Sequence, residues 1–275
     1  MTYDDQESST YLGQPQELYE FRNGELVWRF TSSDEAVVYL GEKFTPESID
    51  RPPISESQEI NKLALKLSVP SINPVAAMYQ FYPPTSVTSV TIFRGHRGGE
   101  DTIVLWMGRI LNVEILGESS EILCEPISTS IRRLGLRKYY QRQCPHALYG
   151  PSCGVNKESH KSTFVVSGRT GLTINVTGLL SVDQFAGGMV SWESAAGTQW
   201  RFVTGNTSNS LQINFPVLPD DDKYGRGLPV GSTLSVYPGC QHTLTDCINK
   251  FNNLPNYGGF PFIPMLNPFG LTSLW

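Results

Sequence analysis

Four cysteines in two tight pairs constrain this chain more than any other feature. Eight residues separate Cys144 from Cys153, six separate Cys240 from Cys247, and 86 lie between the pairs. The intervening sequence has β character, so a β domain would have to fold back on itself to join the pairs. Four thiolates in one place are a soft donor set, which selects a structural zinc ion or an iron–sulfur cluster. Both spacers exceed the roughly two to four residues common in zinc ribbons, which leaves room for a bulkier cluster. Four free core thiols without metal are the remaining alternative, since cysteine also packs as a small hydrophobe. The odd total of five cysteines fits metal ligation plus one spare better than a disulfide framework. Either metal would contribute folding energy, because the pocket need not exist in the unfolded chain.

At 275 residues with 39% hydrophobic content, the chain is long enough for one or two real cores. Charged residues make up 17%, against 25 glycines and 19 prolines, a balance that predicts many short strands joined by turns. A net charge of −5 argues against duplex DNA as a partner, because phosphate contacts call for a basic surface. No apolar run approaches the ~20 residues of a membrane span. The start, Met1 to Glu7, is acidic and lacks a basic region followed by an apolar stretch, so no Sec signal is expected. Folding in a reducing cytoplasm follows as the expectation, and there disulfides are disfavoured.

Taken in order, residues 1–16 read as a polar arm. Leu18 to Phe30 reads as a hairpin turning at Asn23-Gly24, where a primed turn needs positive φ. Val37 to Leu40 reads as a strand. Leu63, Leu65, Leu67 and Val69 alternate with Lys62, Ala64, Lys66 and Ser68, the period of a half-buried strand. Pro74 to Phe81 allows a helical turn or two. Val87 to Phe93 and Thr102 to Gly108 flank a loop, and Arg109 to Glu125 forms another hairpin turning at Gly117. About seven strands before residue 130 predict a small barrel or sandwich. Arg132, Arg133, Arg137, Lys138 and Arg142 then crowd a short stretch, which reads as a solvated connector or as contact with an acidic neighbouring subunit. The boundary is set there, giving domains 1–135 and 136–275. The second domain reads as short β segments with Gly or Asn turns. Thr243 to Asp246 has capping-box-like spacing, so a helix carrying Cys247 is expected to run towards Phe251. The fold class is therefore mainly β: a small N-terminal barrel or sandwich, then a β-rich domain with a short helix and a four-cysteine metal site. The Gly/Pro-rich tail from Asn256 is too apolar to stay in water and must cover the chain's own pocket or a partner.

The other chemical signals are weak. His146 and His242 each follow a cysteine by two residues and could replace a thiolate, but four cysteines make them supporting or surface groups. Cys124 reads as a packed core thiol. Gly150-Pro-Ser-Cys-Gly matches a nucleophile elbow in letters but lacks the apolar strand that must precede one. Asp220-Asp-Asp lacks the spacing of a calcium loop and reads as a solvated turn. No Walker lysine motif or dinucleotide fingerprint is present, and no catalytic residue is assigned.

The second half resembles the tail-hub, or tail-tip, proteins of long-tailed bacteriophages: the lambda-type minor tail protein L and the hub protein of gene transfer agents. The resemblance rests on Arg142 to Val155, on Phe185-Ala-Gly-Gly, and above all on Tyr237 to Pro261. That last stretch contains Gly239-Cys240, Cys247, Phe251-x-Asn253 and Gly259-Phe260-Pro261 in order. The first half is similar only through Leu63 to Pro70 and Leu105 to Ile110. The resemblance implies a four-iron, four-sulfur cluster on Cys144, Cys153, Cys240 and Cys247. It implies a structural, non-enzymatic role in a virion tail tip assembled in the host bacterial cytoplasm. It further implies a homo-oligomeric ring, expected to be a trimer, between the distal tail protein and the central spike or receptor-binding protein. A zinc-stabilised adaptor and a small iron–sulfur redox enzyme are the alternatives. Against the enzyme, four protein ligands leave no open coordination position.

Overall fold

The computed structural model describes residues 3–11, 13–54, 64–99, 101–132, 135, 138–178 and 181–264. The chain divides into two compact units, Met1–Arg133 and Leu134–Trp275.

The first unit opens with a short helix, α1 (Tyr3–Glu7), and then carries eight strands: β1 (Pro15–Asn23), β2 (Leu26–Thr31), β3 (Val37–Tyr39), β4 (Glu42–Pro46), β5 (Leu65–Pro70), β6 (Ser89–His96), β7 (Thr102–Leu116) and β8 (Ser119–Pro126). They form one sheet in the order β3-β4-β2-β1-β6-β7-β8-β5. The β1–β2 hairpin pairs Asn23 with Leu26, so Gly24 and Glu25 make the turn, and Gly24 takes the positive φ of 59°. A glycine there avoids the Cβ clash that a primed turn imposes. The period-two reading holds along β5, where Leu65, Leu67 and Val69 are buried while Lys66 and Ser68 are exposed; Lys62 and Leu63 lie outside the described residues. A second short helix, α2 (Pro74–Met78), starts on Asn73, whose side chain accepts from the Val75 N–H. Val75 and Ala76 of α2 pack with Tyr19, Phe21, Leu67, Ile92, Trp106, Ile110, Ile122 and Cys124 into one core.

The second unit is built on a closed barrel. Its strands are β9 (Ser162–Thr170), β10 (Thr173–Thr177), β11 (Met189–Ser194), β12 (Gly197–Asn206), β13 (Ser210–Ile213) and β14 (Thr233–Tyr237), ordered β10-β13-β12-β11-β14-β9 around the closure. Every strand has two neighbours, which leaves no edge to cap. Val166, Ile174, Val190, Trp192, Val203, Leu211, Leu234 and Val236 fill the interior.

Two features of the expected fold are corrected. A small barrel or sandwich is expected in the first half, which is instead a single eight-stranded sheet, and the closed barrel is in the second. Alternation identifies strands, but end-to-end pairing depends on which strands meet, and that is a long-range property. The four-cysteine metal site is corrected as well. Among the described residues, no group of three or more His, Cys, Asp or Glu side chains is placed to hold a metal ion. The fold delivers free thiols rather than a finished coordination sphere. The physical reason is electrostatic: thiolates repel one another, so the folded backbone can bring four thiols to one cavity without closing them on a single point.

Candidate functional site

All four cysteines of the two pairs line one small cavity in the second unit, with His146, Leu148, Val155, His242, Phe251 and Asn253 around them. None is in a disulfide. Each arrives by a different local device. Cys144 follows the connector, and its N–H donates to the His242 carbonyl at 2.9 Å, which ties the first pair to the second. Cys153 closes a turn, donating its N–H to Gly150 O at 3.0 Å. Tyr149 precedes that turn with φ at +61°, and its hydroxyl reaches over to Pro238 O at 2.8 Å. Cys240 stands three residues beyond the end of β14. Cys247 is buried on α3 (Leu244–Asn249), which Thr243 caps by accepting the Asp246 N–H at 3.2 Å. The capping-box spacing thus forms the helix that sequence assigned to it.

Two close backbone approaches explain glycines in the motif. A Cβ on Gly239 would run into the Ala186 carbonyl, and one on Gly188 into the Tyr237 carbonyl. The Phe185-Ala-Gly-Gly segment and the Gly-Cys turn therefore lie backbone to backbone, which fixes where Cys240 begins. On the opposite side, a Cβ on Gly258 would strike the His146 ring. The tail thereby reaches the thiols: the Gly258 N–H points at Cys144 Sγ at 3.5 Å. Tyr257 Oη donates to Arg142 O at 2.8 Å, Phe260 N–H donates to Gln141 O at 2.9 Å, and the Phe260 and Tyr140 rings lie 4.2 Å apart. Tyr257 to Pro261 of the tail thus pack on the chain's own Tyr140 to Cys144 segment, while Phe262 is exposed; Met265 to Trp275 lie outside the described residues.

N–H groups face three of the four sulfurs. Besides Gly258, the His242 N–H donates to Cys240 Sγ at 3.3 Å, and Asn253 Nδ2 lies 3.8 Å from Cys153 Sγ. The fourth thiol, Cys247, donates to Asn253 O at 3.2 Å. Asn253 is the hub of these contacts. Its Nδ2 also donates to Cys153 O at 2.6 Å, its N–H donates to Cys247 O at 2.9 Å, and Asn256 Nδ2 supports its Oδ1 at 2.8 Å. Burial pushes the Cys240 and Cys247 thiols up, and the neighbouring cysteines push both further. The His242 N–H pulls Cys240 part of the way back. Burial also raises the Tyr149 phenol, with Cys153 and Cys240 adding to the effect. Four thiolates could coexist here only with a compensating positive charge at the cavity.

The sequence-assigned ligands are thus gathered around one cavity. His146 and His242 line it too, the latter acting through its backbone with φ at +60°. Sequence reasoning overlooked Asn253 and Tyr149. The Phe251-x-Asn253 element was the available signal for Asn253; nothing local marks Tyr149. Elsewhere, Cys124 is fully buried in the first unit's core. The Gly150 to Gly154 segment is a turn, not an elbow between strand and helix. Asp220 pairs with Arg169, and Asp222 accepts from the Arg226 N–H at 2.9 Å, so arginines engage two of the three carboxylates of Asp220-Asp221-Asp222. No helix among the described residues is long and apolar enough to cross a membrane.

Comparison with known proteins gives three findings. Residues 183–267 match the model of a phage conserved hypothetical protein family, BR0599. An uncharacterized protein of Xylella fastidiosa (strain 9a5c) is 25% identical over 178 residues, which is 59% of this chain and 37% of that protein, so the match spans little more than a third of its length. A chain from the virion of the native gene transfer agent particle superposes with a TM-score of 0.74 at 15% identity, covering 95% of this chain and 91% of its own. The family match takes in Phe185-Ala-Gly-Gly, Cys240, Cys247 and the Gly-Phe-Pro turn, and it ties this part of the chain to phage proteins.

Proposed function

We propose that this phage-related chain is a structural virion protein of the tail tip, and that its cysteine cavity holds an iron–sulfur cluster. The observation that carries the virion role is the likeness of fold along nearly the whole chain to a subunit of the gene transfer agent particle. In this reading the chain forms a homo-oligomeric ring at the distal end of the tail tube, between the distal tail protein and the central spike.

The residues fit the cluster by three features. The donor set is four thiols; the cavity walls are largely apolar, with Leu148, Val155 and Phe251; and N–H groups stand at three sulfurs, as buried sulfur anions require. A single ion needs all four sulfurs at about 2.3 Å from one point, whereas a cubane gives each thiolate its own iron, so the thiols need not converge. When bound, the cluster supplies four iron–sulfur bonds that cross-link Cys144, Cys153, Cys240 and Cys247. The chain's own part is to orient the sulfurs through Gly239, Thr243 and Asn253, and to exclude water with Phe251 and the tail. Closing a loop of roughly 100 residues restricts the unfolded chain as a long cross-link does.

The test is the iron, sulfide and zinc content of full-length protein purified without oxygen, read with its visible spectrum. About four irons and four sulfides per chain, with broad absorption in the blue, support the cluster. Stoichiometric zinc without iron replaces it with the adaptor reading. Cryo-electron microscopy of particles tests the placement independently: density for this fold away from the tail tip overturns it.

A further inference from the structure

We propose that the outer face of the second unit's barrel carries a binding groove for an acidic oligosaccharide. The groove, about 450 Å³, runs across β14, β11 and β12 under the overhanging turn Lys157–His160. Its floor is small and hydroxylated. Ser191 and Ser235 sit directly opposite one another in the β11–β14 pairing, with Thr233 and Thr198 beside them. Among the described residues, the hydroxyls of Ser191, Thr233 and Ser235 make no hydrogen bond. Trp200, opposite Ser191 on the other side, forms the wall and leans on Tyr237 with ring centroids 5.5 Å apart.

Strand alternation accounts for this placement. Trp192 and Gln199, paired across β11 and β12, are buried together, while Ser191 and Trp200 stand on the opposite face. A half-buried tryptophan and the hydroxyls of Thr233 and Ser235 on the outside of a barrel contribute little to its core, and Ser191 between them is itself buried. They do match a sugar chain, whose C–H faces pack on an indole and whose hydroxyls exchange hydrogen bonds with serine and threonine.

Charge selects the class of sugar. The groove contains two lysines, Lys157 and Lys161, and two glutamates, Glu158 and Glu193. Glu158 is engaged by Lys161 at 3.8 Å and by the Tyr237 hydroxyl at 3.4 Å. Glu193 accepts from the Thr198 hydroxyl at 2.9 Å. Lys157 faces no carboxylate among the described residues; its ammonium rests over the Trp200 ring at 4.7 Å. It is therefore the cation available to a ligand, and a carboxylate or phosphate on the sugar exchanges a cation–π contact for an ion pair. The backbone of the turn bearing Lys157 is held by Asn156, whose side chain accepts the Glu158 N–H at 3.0 Å.

The experiment titrates the intact, full-length protein with oligogalacturonate, with a glycerol-phosphate teichoic oligomer, and with neutral cellohexaose, following tryptophan fluorescence and calorimetry. Saturable binding of at least one acidic probe, tenfold or more tighter than cellohexaose, is expected. Lys157→Gln should weaken it about tenfold, and Trp200→Ala should abolish it. Ser191→Val, which leaves the indole and the charges in place, should weaken it several-fold, with circular dichroism and cysteine content unchanged in all three variants. Which acidic probe binds distinguishes carboxylate from phosphate. Absence of binding by both acidic probes at millimolar concentration overturns the proposal, as does equal binding of cellohexaose or acidic binding indifferent to Lys157→Gln and Trp200→Ala.

Discussion

Two kinds of cysteine divide this molecule. In the first unit, Cys124 lies on β8 opposite Leu65 and Ile110, fully buried, with burial alone pushing its thiol up to about 12. It packs as a hydrophobe and stays neutral. In the second unit, four thiols line one cavity, and the neighbouring cysteines add to the upward push of burial on Cys240 and Cys247. The first unit closes its core with Leu, Ile, Val and aromatic side chains; the second does so within its barrel, while its thiols lie in outlying turns and on α3. One part of the molecule is held by area removed from water; with the proposed cluster bound, the other would gain a few directed bonds.

The largest effect should come from removing those bonds. Cys240→Ser with Cys247→Ser should eliminate bound iron and destabilise the second unit by about 4–5 kcal/mol, the scale of a cross-link closing a loop of that length. The first unit's unfolding transition should not move. Calorimetry reads both, and a common fall of both transitions would break the contrast. The reverse experiment is Ile122→Ala in the first core, where Ile122 is fully buried. It should cost about 2–5 kcal/mol in the first unit and leave iron content unchanged.

Smaller changes sharpen the picture. Thr243→Ala removes the cap of α3 and should cost about 1 kcal/mol, with faster loss of iron to a chelator because Cys247 is held on that helix. Cys124→Ala should cost less than the Ile122 change and leave the iron content alone, since a single sulfur atom is lost from a packed site. The smallest effect is one of pH. Burial pushes Glu17 up, but hydrogen bonds from Arg51 and the Tyr19 hydroxyl outweigh it, and the net position is lowered. A lowered carboxylate stabilises above its unfolded value of about 4.3 and loses that contribution as pH falls through the folded value. The first unit should therefore weaken in acid below about pH 4, and Arg51→Ala should flatten that dependence in urea titrations at pH 3 and pH 6.

Much of the site was legible because its signals are local. Paired cysteines, the cap at Thr243 and the Gly-Phe-Pro turn each act within a few residues. Asn253 was partly legible as one position of a motif, but its bonds to Cys153 cross 100 residues of chain. Tyr149 was not, because its reach to Pro238 depends on a turn whose φ is unusual for a tyrosine. In the first half, alternation located β5 and the hairpins, yet the eight strands formed one sheet rather than a small barrel or sandwich.

The sequence by itself determined the mainly β character, most strand positions though not β4, the cap of α3 and which cysteines could act together. These depend on side-chain period, turn chemistry and residue type, all readable over short windows. Tertiary structure decided which unit closes into a barrel, that the thiols surround a cavity without forming a finished metal sphere, and that Ser191, Ser235 and Trp200 share an outer groove. Each of those outcomes rests on pairings between distant strands, and pairing energy belongs to the assembled sheet rather than to any one segment.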